Sequence, residues 1–466
     1  MAQAQILWFR QDLRLADHHA LTAACRAGPV VPVYVLDDET PGEWRTGAAQ
    51  RWWLHHSLAA LARAIEAKGA RLILLRGPVA DILGQLSAKL GQAPIHATEL
   101  FEPAAKRQAH DLGQRAQLHL HPGQTLADPA SITTGQGGRY RIFTPFWRAL
   151  QHVMPPPVPL PAPERLIMAD GAPPSDRLED WDLLPTRPNW AEGWDEQWRP
   201  GEAGAQATLT TFADIVHGYG EGRNLPATPR TSRLSPHLHL GEITPAQVWH
   251  AAHAAAGDAA DPFLREIAWR DFAIGWLDQF PESADKPNRA PYADFPHRDA
   301  PTDLHAWRRG HTGYPIVDAG MRQLWATGWM HNRVRMIASS FLVKHLLIDW
   351  RAGEHWFWDT LVDADLANNA LGWQWIMGSG VDSQPFNRIF EPVTQGRKHD
   401  PDGGYVRRWV PELARLPARV IHAPWEASPM ELAEAGVRLG ETYPDRLVDH
   451  AFARARALAA VASIKA

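Results

Sequence analysis

The sequence predicts two domains of different class: an α/β N-terminal domain on a doubly wound parallel sheet, and an all-α C-terminal domain. Three observations predict this. The first 125 residues alternate short apolar runs with amphipathic stretches, the pattern of βαβ units. Residues 151 to 200 hold eleven prolines, among them Pro155-Pro156-Pro157-Val158-Pro159-Leu160-Pro161-Ala162-Pro163, which favours extended geometry and interrupts that pattern. After about residue 204 strand signals nearly vanish and helical spacing dominates. The expected division is residues 1–125, a long inter-domain connector at 126–203 and a helical domain at 204–466.

Strands are expected at Ile6 to Phe9, Val30 to Leu36, Arg71 to Leu75, Ile95 to Ala97 and Leu118 to Leu120, each a short apolar run. Between the second and third, Leu54, Leu58, Leu61 and Ile65 recur at helical spacing from Ala48 to Lys68, and Gly69 offers a C-terminal cap. Gly135-Gln136-Gly137-Gly138 has neither the spacing of a dinucleotide fingerprint nor that of a P-loop and reads as a loop. In the second domain, helices are expected at Ala319 to Trp329 and from Asn332 to about Asp349. No repeat of 20 to 50 residues is evident.

Composition narrows the function classes. The 466 residues carry 47 Lys and Arg against 52 Asp and Glu, a formal charge of −5, so nucleic acid would have to bind a local patch. A single cysteine, Cys25, excludes an internal disulfide and any multi-cysteine metal site, and fits a reducing, cytoplasmic setting. The apolar run Ile6 to Phe9 is too short for a signal peptide, and nowhere do 18 apolar residues follow one another, so a soluble, unanchored protein is expected. Eleven of the 22 tryptophans fall between Trp249 and Trp375, more than core packing needs, since each indole N–H wants a partner.

Several segments carry candidate chemistry. Gly328 to Met336 opens a helix on which Trp329, Asn332 and Met336 are expected on one face, in a stretch, Met321 to Ile348, with four basic residues and no acid. A buried core network would use Asn and Arg equally well. Asp363 and Asp365 are two residues apart, which points to a loop or first turn; they would serve as N-caps, or as acceptors for an Arg and a ligand N–H. Trp373 and Trp375 place two indoles on opposite sides of one segment, which packing alone also explains. Thr231-Ser232-Arg233-Leu234-Ser235-Pro236 clusters hydroxyls with one Arg, suited to capping a helix or to holding phosphates. His18-His19, His55-His56 and His237-Leu238-His239 lack nearby carboxylate or thiol spacing, so no metal is expected.

In order along the chain, Leu7-Trp8-Phe9-Arg10-Gln11-Asp12-Leu13-Arg14, Thr231 to Pro236, Trp269-Arg270-Asp271-Phe272, Gly313-Tyr314-Pro315-Ile316-Val317-Asp318, Trp329 to Met336 and Asp363 to Trp375 resemble the DNA photolyase and cryptochrome family. The likeness is greatest to prokaryotic cyclobutane pyrimidine dimer photolyases. It implies an α/β domain of the kind that holds a light-harvesting antenna, such as methenyltetrahydrofolate, and a helical domain that binds folded FAD. By motif matching, Tyr219, Thr231, Ser232, Arg233, Leu234 and Ser235 look like phosphate and ribitol contacts, with Arg270, Trp329 and Asn332 also around the cofactor. Asp365 resembles the acceptor for flavin N3–H, Asn369 the residue facing N5, and Arg335 the cation paired with Asp363.

For the substrate, UV-damaged DNA, the resemblance implies aromatic walls at Trp269 and Trp375, a carboxyl on the pyrimidine edge at Glu266, further lining at Asn332 and Met336, and phosphate contacts at Arg333, Arg223 and Arg388. The implied reaction is electron transfer from excited FADH− to a flipped-out dimer, carried out by a monomer. Trp373 and Trp350 match the inner two rings of the family's electron chain, but His297 stands where the outer tryptophan is expected, leaving Trp307, Trp356 and Trp358 as candidates. Asn387, Glu391, Ala104 and Ala105 also depart from the family pattern. Asn332 and Met336 stand where photolyases for the 6-4 photoproduct carry histidines, which favours dimer repair. A cryptochrome-type photoreceptor without repair is the alternative, and a flavin-binding nucleic-acid protein without photochemistry the third.

Overall fold

A computed structural model describes residues 2–383 and 385–464. They form two compact units, neither a single run of sequence. The first takes the chain up to Tyr219, then Ser232–Pro281 and Val362–Ala367; the second takes Gly220–Thr231, Glu282–Leu361 and the chain from Asn368 onward.

The first unit contains the sheet. Strands β1 (Gln5–Phe9), β2 (Val30–Leu36), β3 (Ile73–Arg76), β4 (Ile95–Thr98) and β5 (Leu118–His121) are all parallel, in the order β3-β2-β1-β4-β5. Parallel neighbours need long crossovers, supplied by α1 (His19–Ala27), α2 (Ala48–Ala67), α3 (Val79–Lys89) and α4 (Pro103–Gly113). β1 is buried along its whole length, which is why it reads as an apolar run rather than an alternation. β3 starts at Ile73, not at Arg71, because pairing with Val33 of β2 begins there. Strand order reverses between β1 and β4, the place where open sheets tend to bind ligands. Here Arg10, at the end of β1, lies over Trp8 at 4.2 Å and donates to the carbonyls of Thr98 and Ala105, so the chain's own side chains line that crevice.

The proline-rich segment runs along the first unit, with N–H groups of Leu166 and Asp176 donating to the carbonyls of Lys68 and Leu74, each at 2.8 Å. The expected connector, 126–203, also contains a helix, Phe143–Gln151, with Phe143, Phe146, Trp147 and Leu150 buried. Segment Ser232–Pro281 joins the same unit through Arg14 to the Gly241 carbonyl (2.9 Å), Trp53 to Glu242 (3.0 Å) and His239 with Gln50 (2.9 Å). Gly241 must be glycine: its φ is +64°, and a β-carbon would stand 2.1 Å from the Gln11 carbonyl oxygen.

The second unit is helical. The helix expected from Ala319 lies at Pro315–Thr327, since Pro315 suits the first turn and Gly328, at φ +66°, ends it. The expected helix from Asn332 to Asp349 is a correction: the α-helix stops at Ser340 and one π-turn, Phe341–His345, follows. The Leu346 N–H reaches back to the Phe341 carbonyl at 3.0 Å, Leu347 is left-handed at φ +53°, and Asp349 caps the next helix, Trp350–Thr360. This geometry leaves Lys344 and His345 fully buried. Among the described residues no helix is long and apolar enough to cross a membrane.

Candidate functional site

Loop 231–234, of the first unit from Ser232 onward, leads into the short helix Ser235–His239. Arg233 is left-handed at φ +54° with its guanidinium over Trp198 at 4.1 Å, while Ser232 Oγ accepts from the Leu234 N–H at 3.3 Å. Thr231 is half-buried, Leu234 fully buried, and Tyr219 packs on Phe212 and Phe263. Ser235 Oγ donates to Asp363 Oδ2 at 2.6 Å. Asp363 and Asp365 lie, as their spacing implied, in the loop before the helix Leu366–Met377, and both are buried. His239 Nδ1 stands 3.9 Å from Asp365 Oδ2 and has no hydrogen-bond partner among the described residues.

Glu266 and Trp269, three residues apart on the helix Asp261–Gln279, share a face and are half-buried. Trp269 stacks on Phe143 at 3.9 Å, with 9° between the rings. Arg270 is turned to structural use, donating to the carbonyls of Gln124 and Leu238. Beside it, burial pushes the Asp271 carboxyl up to about 7, although the Leu126 N–H donates to it at 2.7 Å.

In the second unit, His331 caps the helix Asn332–Ser340, its Nδ1 accepting from the Arg333 N–H at 3.2 Å. Trp329 therefore precedes the helix and does not share a helical face with Asn332 and Met336, correcting the expectation; Gly328 has ended the preceding helix. Burial, reinforced by Arg335 and Arg333, pushes His331 down to about 4, which keeps its cap nitrogen an acceptor. Asn332 is exposed and Met336 half-buried. Arg333 donates through Nε (3.1 Å) and Nη2 (2.6 Å) to Asn224 Oδ1, and Arg335 Nε donates to the Met330 carbonyl at 2.7 Å. Arg223 is half-buried beside Asn224 in sequence, and Arg388 is exposed.

On the helix Leu366–Met377, Asn369 Nδ2 donates to the Glu354 carbonyl at 3.0 Å. The Glu354 side chain is fully buried, neither oxygen has a hydrogen-bond partner among the described residues, and burial, then Asp285, raise its pKa well above the usual carboxylate range. Trp373 is buried against Phe357 (5.1 Å) and Trp307 (6.3 Å), and its ring lies against Gly353, leaving no room for a β-carbon. Trp350 is buried at the start of its helix, and no ring pair joins it to Trp373 among the described residues. His297 packs on Phe295 at 5.0 Å; farther out, Trp356 stacks on the exposed Trp325 with 4° between the rings. Trp375 is half-buried, whereas Gln374 between the two indoles is fully buried and binds the carbonyls of Ser283 and Lys286.

Sequence reasoning missed Asn224, Glu354, Gln374 and Phe143. Only Phe143 left a cue, an aromatic at the head of an amphipathic segment. Among the described residues no group of three or more His, Cys, Asp or Glu side chains is placed to hold a metal.

The chain is similar to known proteins along its whole length. Residues 5–164 match the family described as DNA photolyase, and residues 263–463 the FAD binding domain of DNA photolyase. Deoxyribodipyrimidine photo-lyase of Agrobacterium fabrum is 49% identical over 472 residues, 99% of this chain and 98% of that protein. Cryptochrome-1 of Arabidopsis thaliana is 38% identical over 474 residues, 97% of this chain and 69% of that protein. The crystal structure of a bacterial class III photolyase from Agrobacterium tumefaciens matches with a TM-score of 0.95 at 49% identity, covering 100% of this chain and 98% of that one. The chain belongs to the DNA photolyase family. Within it the type is that of the prokaryotic deoxyribodipyrimidine photo-lyases, with cryptochromes at greater distance, and FAD is the cofactor. Within the first unit the donor set fits FAD: buried carboxylates at Asp363 and Asp365 and the spare Nδ1 of His239.

Proposed function

We propose that the chain repairs cyclobutane pyrimidine dimers in UV-damaged DNA under light, as a cytoplasmic monomer. The observation that carries this reading is the end-to-end likeness to the Agrobacterium photo-lyase at 49% identity. When bound in its reduced form, FAD would supply light-driven one-electron donation to a flipped-out dimer, with the electron returned once the ring is split.

The chain's own residues then have these tasks. Asp365 accepts the flavin N3–H, and Ser235 holds Asp363 as the acidic partner beside the ring. Asn369 faces N5 with its amide set by the Glu354 carbonyl. Arg335 adds positive charge, which in a poorly solvated site favours the reduced anion that donates. Tyr219, Thr231, Ser232, Arg233 and Leu234 line the phosphate and ribitol end. Glu266 binds the pyrimidine edge, Trp269 and Trp375 wall the lesion, and Asn332 and Met336 complete the lining. Arg223, Arg333 and Arg388 meet phosphates, a local basic rim that offsets the net charge of −5. Trp373 and Trp350 carry electrons inward to restore the active redox state.

The test is to illuminate the reduced holoenzyme with an oligonucleotide bearing one cyclobutane thymine dimer, beside a dark control and a 6-4 photoproduct. Light-dependent loss of the cyclobutane dimer alone is expected, and Glu266→Ala should lower repair per photon while leaving FAD bound. Flavin without repair of either lesion would move the assignment to a cryptochrome-type photoreceptor, the reading favoured by the 38% identity with the Arabidopsis protein. Repair of only the 6-4 lesion would overturn the roles of Asn332 and Met336.

A further inference from the structure

Arg388 sits on a short turn attached to the second unit through a buried lysine. The turn is closed by the Arg388 N–H donating to the Pro385 carbonyl and the Ile389 N–H donating to the Asn387 carbonyl, both at 3.0 Å. Phe386 and Phe390 point into the protein while Asn387 and Arg388 are exposed. Phe386 packs on Phe295 at 5.0 Å, and at the far end Glu391 caps the helix Pro392–His399 by accepting from the Val393 and Thr394 N–H groups. Between these two fixings stands the carbonyl of Arg388. Lys344 Nζ donates to it at 2.9 Å, and the same ammonium lies over the Phe386 ring at 5.3 Å.

Lys344 comes from the π-turn that interrupts the preceding helix, and it is 0% exposed. Burial, then Arg388, pushes its pKa down to about 7, with no acid among the groups acting on it. An unpaired buried cation is costly, so packing alone would favour an apolar side chain of the same length. Such a side chain would leave the Arg388 carbonyl without its donor and the turn held by Phe386 and Glu391 alone.

We infer that Lys344 is a positioning residue for DNA binding: it fixes the turn that presents the Arg388 side chain to a phosphate. This rests on the assignment of Arg388 to DNA made above. Among the described residues the polar and ring contacts of Lys344 are the Arg388 carbonyl and Phe386, neither assigned to the flavin or to the lesion bases, so its removal weakens DNA binding and leaves repair of the bound lesion unchanged.

The experiment uses full-length FAD-loaded protein and a fluorescent duplex with one cyclobutane thymine dimer, with binding followed by anisotropy across a salt series. Repair per absorbed photon is measured at saturating DNA. Arg388→Ala should weaken binding and make the salt slope shallower by about 0.9, one phosphate contact. Lys344→Met should do the same to a similar or smaller degree, roughly three- to tenfold in affinity, with FAD content and repair per photon at saturation as in the parent. The double variant should bind no more weakly than Arg388→Ala alone. Parent-like affinity and slope in Lys344→Met, or full additivity in the double variant, overturns the inference while leaving Arg388 on the DNA. Parent-like binding by Arg388→Ala overturns the DNA assignment itself. Should Lys344→Met fail to fold or lose FAD, Phe386→Leu loosens the same anchor from its other side; subadditive loss with Arg388→Ala is expected, and parent-like binding overturns the anchor.

Discussion

The side-chain amide of Asn369 is held by the main chain of Glu354, Nδ2 donating to the carbonyl oxygen at 3.0 Å. The bond uses one N–H of the amide and leaves its second N–H and its oxygen for other partners. In Asn369→Asp a carboxylate oxygen would oppose that carbonyl, two acceptors face to face, so the new side chain must hold a proton or turn away. The redox state of flavin that accumulates under blue light should therefore change, read from absorption spectra before and after illumination. Spectra and photoreduction like the parent's would count against the placement of Asn369 at N5.

Trp373 has Trp307 at 6.3 Å as its indole neighbour, and no ring pair joins it to Trp350 among the described residues. Trp373→Phe should block light-driven reduction of oxidised enzyme and spare repair by enzyme reduced chemically. Trp307→Phe should slow photoreduction in the same assay, timed by loss of the oxidised flavin band. Photoreduction at the parent rate in Trp307→Phe would leave Trp350 as the sole relay to Trp373.

Asn224 takes two hydrogen bonds from the Arg333 guanidinium. Asn224→Ala removes both of these hydrogen bonds from the guanidinium, and binding of damaged DNA should weaken by about 1 kcal/mol, roughly fivefold. Asn224→Asp should weaken it further, because a carboxylate would pair with the arginine in competition with the phosphate. Tighter binding by the Asp variant in anisotropy titrations would remove Arg333 from the DNA contacts.

His331 links acidity to the helix that carries Asn332, Arg333 and Met336. Its folded-state pKa of about 4 lies below the ordinary 6.5, so the unfolded chain binds the extra proton first as pH falls. The stability contributed by the neutral imidazole is present above pH 6.5 and is lost as pH drops from there toward 4, where protonation takes the cap acceptor from the Arg333 N–H. His331→Ser keeps a cap and cannot titrate, so its melting temperature should fall less between pH 7 and pH 5 than the parent's. Parallel curves for the two proteins would show that other histidines, such as His345 and His399, account for the acid sensitivity.

Much of the sheet could be read from the sequence because strands buried on both faces leave continuous apolar runs, as Val30–Leu36 does. The break after Ser340 could not, because Phe341 to His345 keep an acceptable helical pattern and a bond to the fifth residue instead of the fourth changes no residue type. Within the site, the loop position of Asp363 and Asp365 was one of the two placements, loop or first turn, that their spacing allowed, whereas the roles of Asn369 and Glu266 came from motif resemblance. The partners that aim these side chains stayed hidden: Asn224 lies 109 residues from Arg333, and Glu354 offers Asn369 only a backbone carbonyl, which every residue type has.

Gly353 is the fourth residue of the helix Trp350–Thr360, yet an added β-carbon would stand 2.1 Å from Cη2 of Trp373 and 2.6 Å from Cδ2 of Leu342. Intrinsic preference favours alanine over glycine inside a helix by about 1 kcal/mol. A campaign to make the enzyme sturdier by filling helical glycines would therefore select at 353 a change that local propensity rewards and the neighbouring indole forbids. The variant would lose its response to light for a reason that no inspection of the flavin contacts could reveal.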